Sequence, residues 1–145
     1  MIRAKIRSGM RVFDTPKLLL IFRNEALKML SGFGAYTRTV ARRSLRRKGK
    51  VSPPGSPPAS HTKALKTSIL FGVDRDRRSV VIGPVRLRGR KSVAHLVPPL
   101  LEYGGVTRST KGRGKKMRYR ARPFMGPAFQ KSLPEVDRFW RSARS

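Results

Sequence analysis

Between Val51 and Thr62 the chain reads VSPPGSPPASHT, four prolines and a glycine in twelve residues. A proline inside a helix removes a backbone donor and strikes the preceding turn, and inside a sheet it removes a ladder bond. Neither element runs through this stretch. It divides the chain into a helical segment before it and a mixed segment after it, and it is expected to form a semi-rigid, extended arm over residues 50–62, rising about 3.1 Å per residue as polyproline II.

Ahead of the arm, Thr15 is placed to cap a helix and Pro16 to open it, since the missing N–H is harmless there. Leu19, Phe22, Ala26, Met29 and Phe33 fall at spacings of three and four and predict one apolar stripe. Gly32 and Gly34 each cost about 1 kcal/mol in a helix relative to Ala, which predicts a bend before a second segment bearing Val40, Ala41 and Leu45. Residues 1–15 are then an N-terminal extension and 16–49 a helix whose second half is strongly basic.

After the arm, Thr67–Val73 and Ser79–Pro84 read as two short strands joined by a charged turn, a hairpin. Val93, Leu96, Val97, Leu100 and Leu101 suggest a short helix that Pro98 and Pro99 must kink or restart, with Gly104 and Gly105 suited to its C-terminal cap. Val106–Arg122 carries eight basic residues around two central glycines and reads as two strands flanking a basic loop at 107–120. Met125, Phe129, Leu133, Val136 and Trp140 form a last helical stripe. Ser132 and Glu135 resemble a capping box around Pro134, so one kinked helix and two abutting helices both fit.

The chain has 145 residues, which makes one domain, 1–145, with residues 63–145 as its α+β core. Its 35 Lys and Arg against 7 Asp and Glu give a formal charge of +28. An isolated chain of that charge repels itself, so polyanions or acidic neighbours are the expected partners. The absence of cysteine excludes disulfides and thiolate chemistry. The longest apolar run, Leu18–Phe22, is far below the roughly twenty residues of a membrane span, so no membrane partner is expected and a targeting signal is set aside.

Catalysis finds little to work with. His61 lies in the arm and His95 beside apolar neighbours, and the carboxylates are scattered, so neither an enzyme nor a metal or other cofactor is expected. KGRGKK ends like a phosphate loop, but Ser109 stands where that loop needs Gly and Lys116 where it needs Ser or Thr. A metal-dependent nuclease would have to use Asp74 with Asp76 or Glu135 with Asp137, both in turn or helix-surface contexts. The positive segments at 38–50, 86–91 and 108–122 are the main signal. Their candidate contacts to nucleic acid or an acidic partner are Arg38, Arg42, Arg43, Arg46, Arg47, Lys48, Lys50, Arg108, Lys111, Arg113, Lys115, Lys116, Arg118 and Arg120.

Three blocks, SPPGSPPASHTKALKTSILFGVD with VVIGP, then LLEYGG, then ARPFMGPAFQKSLPEVDRFW, resemble in order the tail-completion (neck) protein family of long-tailed double-stranded-DNA bacteriophages. The resemblance covers about Ser52–Trp140. Glu102, Tyr103, Gly104, Gly105, Arg122, Pro123, Phe124 and Pro127 are the positions that carry it. Proline at 123 biases Arg122 toward an extended strand end, and a glycine after LEY supplies a positive φ, so both blocks read as fold corners. The family's likeness places Glu102, Tyr103 and Arg122 near one another, with a Glu102–Arg122 ion pair as the expected link.

What the resemblance implies is an α+β subunit with a long first helix, a mostly antiparallel sheet of about four strands, a short middle helix and a C-terminal helix packed on the sheet. It implies a ring, taken as a hexamer, of the tail-completion or tail-terminator type. Such a ring would join connector or adaptor proteins to the tail tube and border the channel for double-stranded DNA, in a virion assembled in bacterial cytoplasm. In such a ring the arm would clasp the next subunit through Pro53, Pro54, Pro57, Pro58 and His61, because a stiff segment loses little entropy on docking. The competing expectation is a ribosomal protein that binds rRNA through its basic helix and loops.

Overall fold

The computed structural model describes residues 15–45, 51–59, 63–85, 97–108, 114 and 116–144. Helix α1 (Thr15–Ser44) is followed by α2 (Ala64–Ser68), strands β1 (Ile69–Asp74) and β2 (Ser79–Pro84), helix α3 (Val97–Tyr103), strands β3 (Gly105–Arg108) and β4 (Lys116–Tyr119), and helices α4 (Met125–Ser132) and α5 (Val136–Ala143). The class is α+β, with a long first helix and antiparallel strands. The four strands form two separate ribbons, β1–β2 and β3–β4, where one sheet was expected.

Helix α1 runs unbroken through Gly32 and Gly34, so the expected bend is absent. These glycines serve packing instead. Two residues turn the helix by about 200°, which puts them on opposite faces. A Cβ on Gly32 would lie 2.9 Å from Phe139 Cδ1, and one on Gly34 would lie 2.7 Å from Phe71 Cδ2 and 2.8 Å from Val80 Cγ2. α1 is thus the middle layer, with α5 tight on one side and the β1–β2 hairpin tight on the other. The C-terminal helices lie on α1 and not on a sheet.

The core gathers at the C-terminal end of α1, where Ala41 and Leu45 meet Leu65, Ile69, Phe124 and Ala128, with Val40, Leu101 and Met125 at its edge. Phe33 extends it, meeting Phe129 and Phe139 edge-on at centroid distances of 6.0 and 6.4 Å. The expected C-terminal stripe is displaced by one position. Phe124, Ala128 and Ser132 are buried, whereas Phe129, Leu133 and Trp140 stay about 40% exposed (42%, 41% and 39%). Close approach to α1 is made by the small residues Ala128 and Ser132 of α4, while Phe129 meets Phe33 by a ring edge and keeps much of its surface exposed.

Pro134 falls in a 3₁₀ turn, Leu133–Glu135, that joins α4 to α5, so the two helices abut. Ser132 does not act as a capping box residue: its buried hydroxyl donates to the Ala128 carbonyl at 2.8 Å. Pro98 and Pro99 sit in the first turn of α3, where their missing donors leave nothing unpaired. The β1–β2 turn is held by the Asp74 carboxylate, which accepts the N–H groups of Asp76 and Arg77 at 3.0 Å each.

Thr15–Asn24, the first ten residues of α1, are all exposed, including Leu19 and Phe22 of the predicted stripe. At 1.5 Å per residue α1 is about 45 Å long. The short elements packed on it cover only its later part. No helix among the described residues is long and apolar enough to cross a membrane.

Candidate nucleic-acid interface

The β3–β4 ribbon rises from a stem built by the two motif blocks. α3 ends where Gly104 takes φ +74 and donates its N–H to the Leu100 carbonyl at 3.0 Å, and Gly105 continues at φ +143. A Cβ on Gly104 would lie 3.1 Å from both the Ala121 nitrogen and the Tyr119 oxygen, so positive φ and close backbone both demand glycine there. The returning chain is fastened by the Arg122 N–H, which donates to the Leu101 carbonyl at 2.6 Å.

Glu102 completes the stem. Its half-buried carboxylate accepts the backbone N–H groups of Phe124, Met125 and Gly126 at 2.9, 3.0 and 2.8 Å. The fourth N-terminal position of α4 is Pro127, which has no N–H, so every donor that a helix start leaves unpaired is accounted for. The negative carboxylate also faces the positive end of the helix dipole. The expected Glu102–Arg122 ion pair does not form, because Glu102 is committed to α4 and the Arg122 Nε donates to the Ser52 carbonyl at 2.9 Å. Arg122 nonetheless lies beside Glu102 in the stem, through its N–H bond to Leu101, and Tyr103 is 84% exposed.

The register of the ribbon sets its chemistry. Val106 pairs with Arg118 and Arg108 with Lys116, so these four share one face, and Gly105, Thr107, Met117 and Tyr119 share the other. Arg108, Lys116, Arg118 and, beyond the strand, Arg120 are exposed. Like charges directly opposite on an antiparallel pair are unfavourable, and their Cβ atoms stand about 5 Å apart. No carboxylate among the described residues pairs with them. The ion pairs of Asp74 with Arg77 and Glu135 with Arg138 lie elsewhere and are local. A face of this kind is stabilised by an anion that spans several cations.

The basic end of α1 behaves differently. The Arg38 guanidinium stacks 5.2 Å above the Phe71 ring, and Arg42 donates to the Thr67 carbonyl at 3.1 Å. Both are half-buried, each with a buried Nε that has no partner, so Arg38 fastens α1 to the hairpin and Arg42 fastens it to α2, and neither forms an open contact surface. Arg43 is exposed. Arg46, Arg47, Lys48, Lys50, His61, the segment 86–91, His95, Lys111, Arg113 and Lys115 lie outside the described residues.

The arm is not extended. Pro53–Ser56 makes a tight turn with Gly55 at φ +80, and Ser56 donates both its N–H and its hydroxyl to the Pro53 carbonyl. Pro at the second and Gly at the third position suit a type II turn. Gly55 N–H reaches the Ala121 carbonyl at 3.0 Å, and Pro58 is buried. Residues 51–59 therefore fold back on their own chain, over a cavity of about 950 Å³ lined in part by Tyr36, Val40, Arg43, Phe124 and Lys131. Pro53 and Pro54 face outward.

Sequence reasoning missed Glu102 as a helix cap and Ser52 as the anchor of Arg122. A hint of the first was available in Pro127, which marks a helix start. Among the described residues no three His, Asp or Glu side chains gather as a metal site. No family model matches the chain, and comparisons with curated proteins and with solved structures found no match.

Proposed function

We propose that this chain is a non-catalytic structural subunit of a bacteriophage neck, of the tail-completion or tail-terminator type, which assembles as a ring and borders the DNA channel. The reading is carried by the β3–β4 ribbon, a projecting face on which Arg108, Lys116 and Arg118 converge with no acidic partner among the described residues. Diffuse phosphate contact of this kind lets DNA slide, as a channel requires. Further support comes from the stem: LEYGG and ARPFMGPA, two of the three blocks of the resemblance, are joined by Glu102. The outward Pro53 and Pro54 leave one edge of the arm free for a neighbouring subunit.

The test is binding of the full chain to a random-sequence DNA duplex, followed by fluorescence anisotropy between 50 and 200 mM salt. Combining Arg108→Gln, Lys116→Gln and Arg118→Gln is expected to flatten the slope of log K against log salt by about 2.7, at 0.9 per phosphate contact. An unchanged slope with an intact fold refutes the assignment of the interface. Ring particles in negative-stain micrographs support the neck reading, and salt-resistant copurification with ribosomal RNA would select the ribosomal one instead.

A further inference from the structure

Two apolar features of this chain face solvent at opposite ends of α1. The first is a helical post: Leu18, Leu19, Leu20, Ile21 and Phe22 are consecutive and all at least 39% exposed, so they run right round the helix and no rotation about its axis hides them. Leu19 and Phe22, at 64% and 57%, lie three positions apart and share one edge. The second is an open groove of about 550 Å³ between the end of β2, α3 and the start of α4, lined by Ile82, Val85, Pro98, Tyr103 and Met125 with Glu102. Val85 and Tyr103 in it are 47% and 84% exposed.

The groove is also distinctive in charge. On a chain with 35 Lys and Arg, no basic side chain among the described residues lines it, and Glu102 is the charged group they contribute. The post is followed at once by the exposed Arg23. Post and groove thus match in apolar character and differ in sign at the rim.

They cannot meet within one chain. Phe124 of the groove wall packs in the core cluster with Ala41, nineteen residues along α1 from Phe22, a distance of about 30 Å. We infer that the post of one copy, through the edge bearing Leu19 and Phe22, docks in the Ile82–Val85, Pro98 and Tyr103 groove of the next copy. Such a contact is head-to-tail: each copy offers a post forward and a groove behind, and repetition closes a ring or grows a filament. The inference rests on the ring-forming reading above and supplies the surfaces by which the ring would be made.

The test uses two blocked full-length chains, Phe22→Asp in the post and Val85→Asp in the groove, both at exposed positions and checked for fold by circular dichroism. The native chain is expected to run as an oligomer in light scattering after gel filtration, and each variant alone as a single chain. A one-to-one mixture should give twice the chain mass and nothing larger, since it holds one intact post and one intact groove. Should either variant misfold, Leu19→Ser and Tyr103→Ser replace it. Because the chain lacks cysteine, Leu19→Cys mixed with Val85→Cys should also give a mixed disulfide in preference to a Leu19→Cys homodimer. A native oligomer that both variants leave intact, or a dominant post-to-post disulfide, overturns this interface and leaves the ring reading standing. A native chain that stays monomeric at all concentrations overturns both.

Discussion

Replacing Glu102 with Ala removes one side chain and unpairs three backbone donors on another element. Gly126 is exposed, so its N–H recovers a water and contributes little. Phe124 is buried and Met125 half-buried, and their N–H bonds at 2.9 and 3.0 Å are partly shielded from water. A hydrogen bond to a charged acceptor contributes about 1.5 kcal/mol net at the lower end of its range, so the two together amount to about 3 kcal/mol. The charge on the helix dipole adds a few tenths. With a urea slope of about 1.5 kcal/mol/M, the unfolding midpoint should fall by about 2 M at fixed protein concentration. Glu102→Gln keeps one acceptor oxygen and should lose about half as much. A loss below about 0.5 kcal/mol for Glu102→Ala would refute the idea that this carboxylate holds the stem to α4.

Three further substitutions probe the packing. Gly34→Ala gains helix propensity but places a methyl 2.7 Å from Phe71 and 2.8 Å from Val80, so a net loss of about 1–3 kcal/mol in chemical denaturation is expected. Thr37→Val should raise stability by about 1 kcal/mol, because Thr37 is fully buried with an unpartnered hydroxyl and both residues are β-branched; a loss would mean that the hydroxyl has a partner. Arg122→Ala frees the Ser52 carbonyl, and limited proteolysis should then cut within residues 51–59 at least several-fold faster than in the native chain, with cutting at the native rate counting against the anchor.

The sequence disclosed elements better than it disclosed their partners. β2 falls at the predicted bounds, and β1 starts two residues late because Thr67 and Ser68 close α2. Periodicity located α1 but not which of its residues are covered, since that depends on how far the other elements reach along it. Gly32 and Gly34 were legible as exceptions to helix propensity, but propensity alone does not distinguish a bend from a close approach on two faces. Pro-Gly at 54–55 carried a turn signal inside a segment otherwise read as stiff. The basic alternation at Lys116, Arg118 and Arg120 was visible, whereas the inward turn of Arg122 and the packing of Arg38 and Arg42 depend on contacts made by residues distant in sequence.

The clamp formed by Leu101, Glu102, Arg122 and the start of α4 has a consequence for variation. It holds the ends of the excursion from Gly104 to Ala121 together whatever lies between them. Closing a longer loop costs only about 0.6 kcal/mol per doubling of its length. The tip can therefore be lengthened, shortened or exchanged for one of different charge while the hydrophobic body stays as it is. Such a chain is a socket with a replaceable probe, and drift in the probe would alter what it touches long before it altered whether the protein folds.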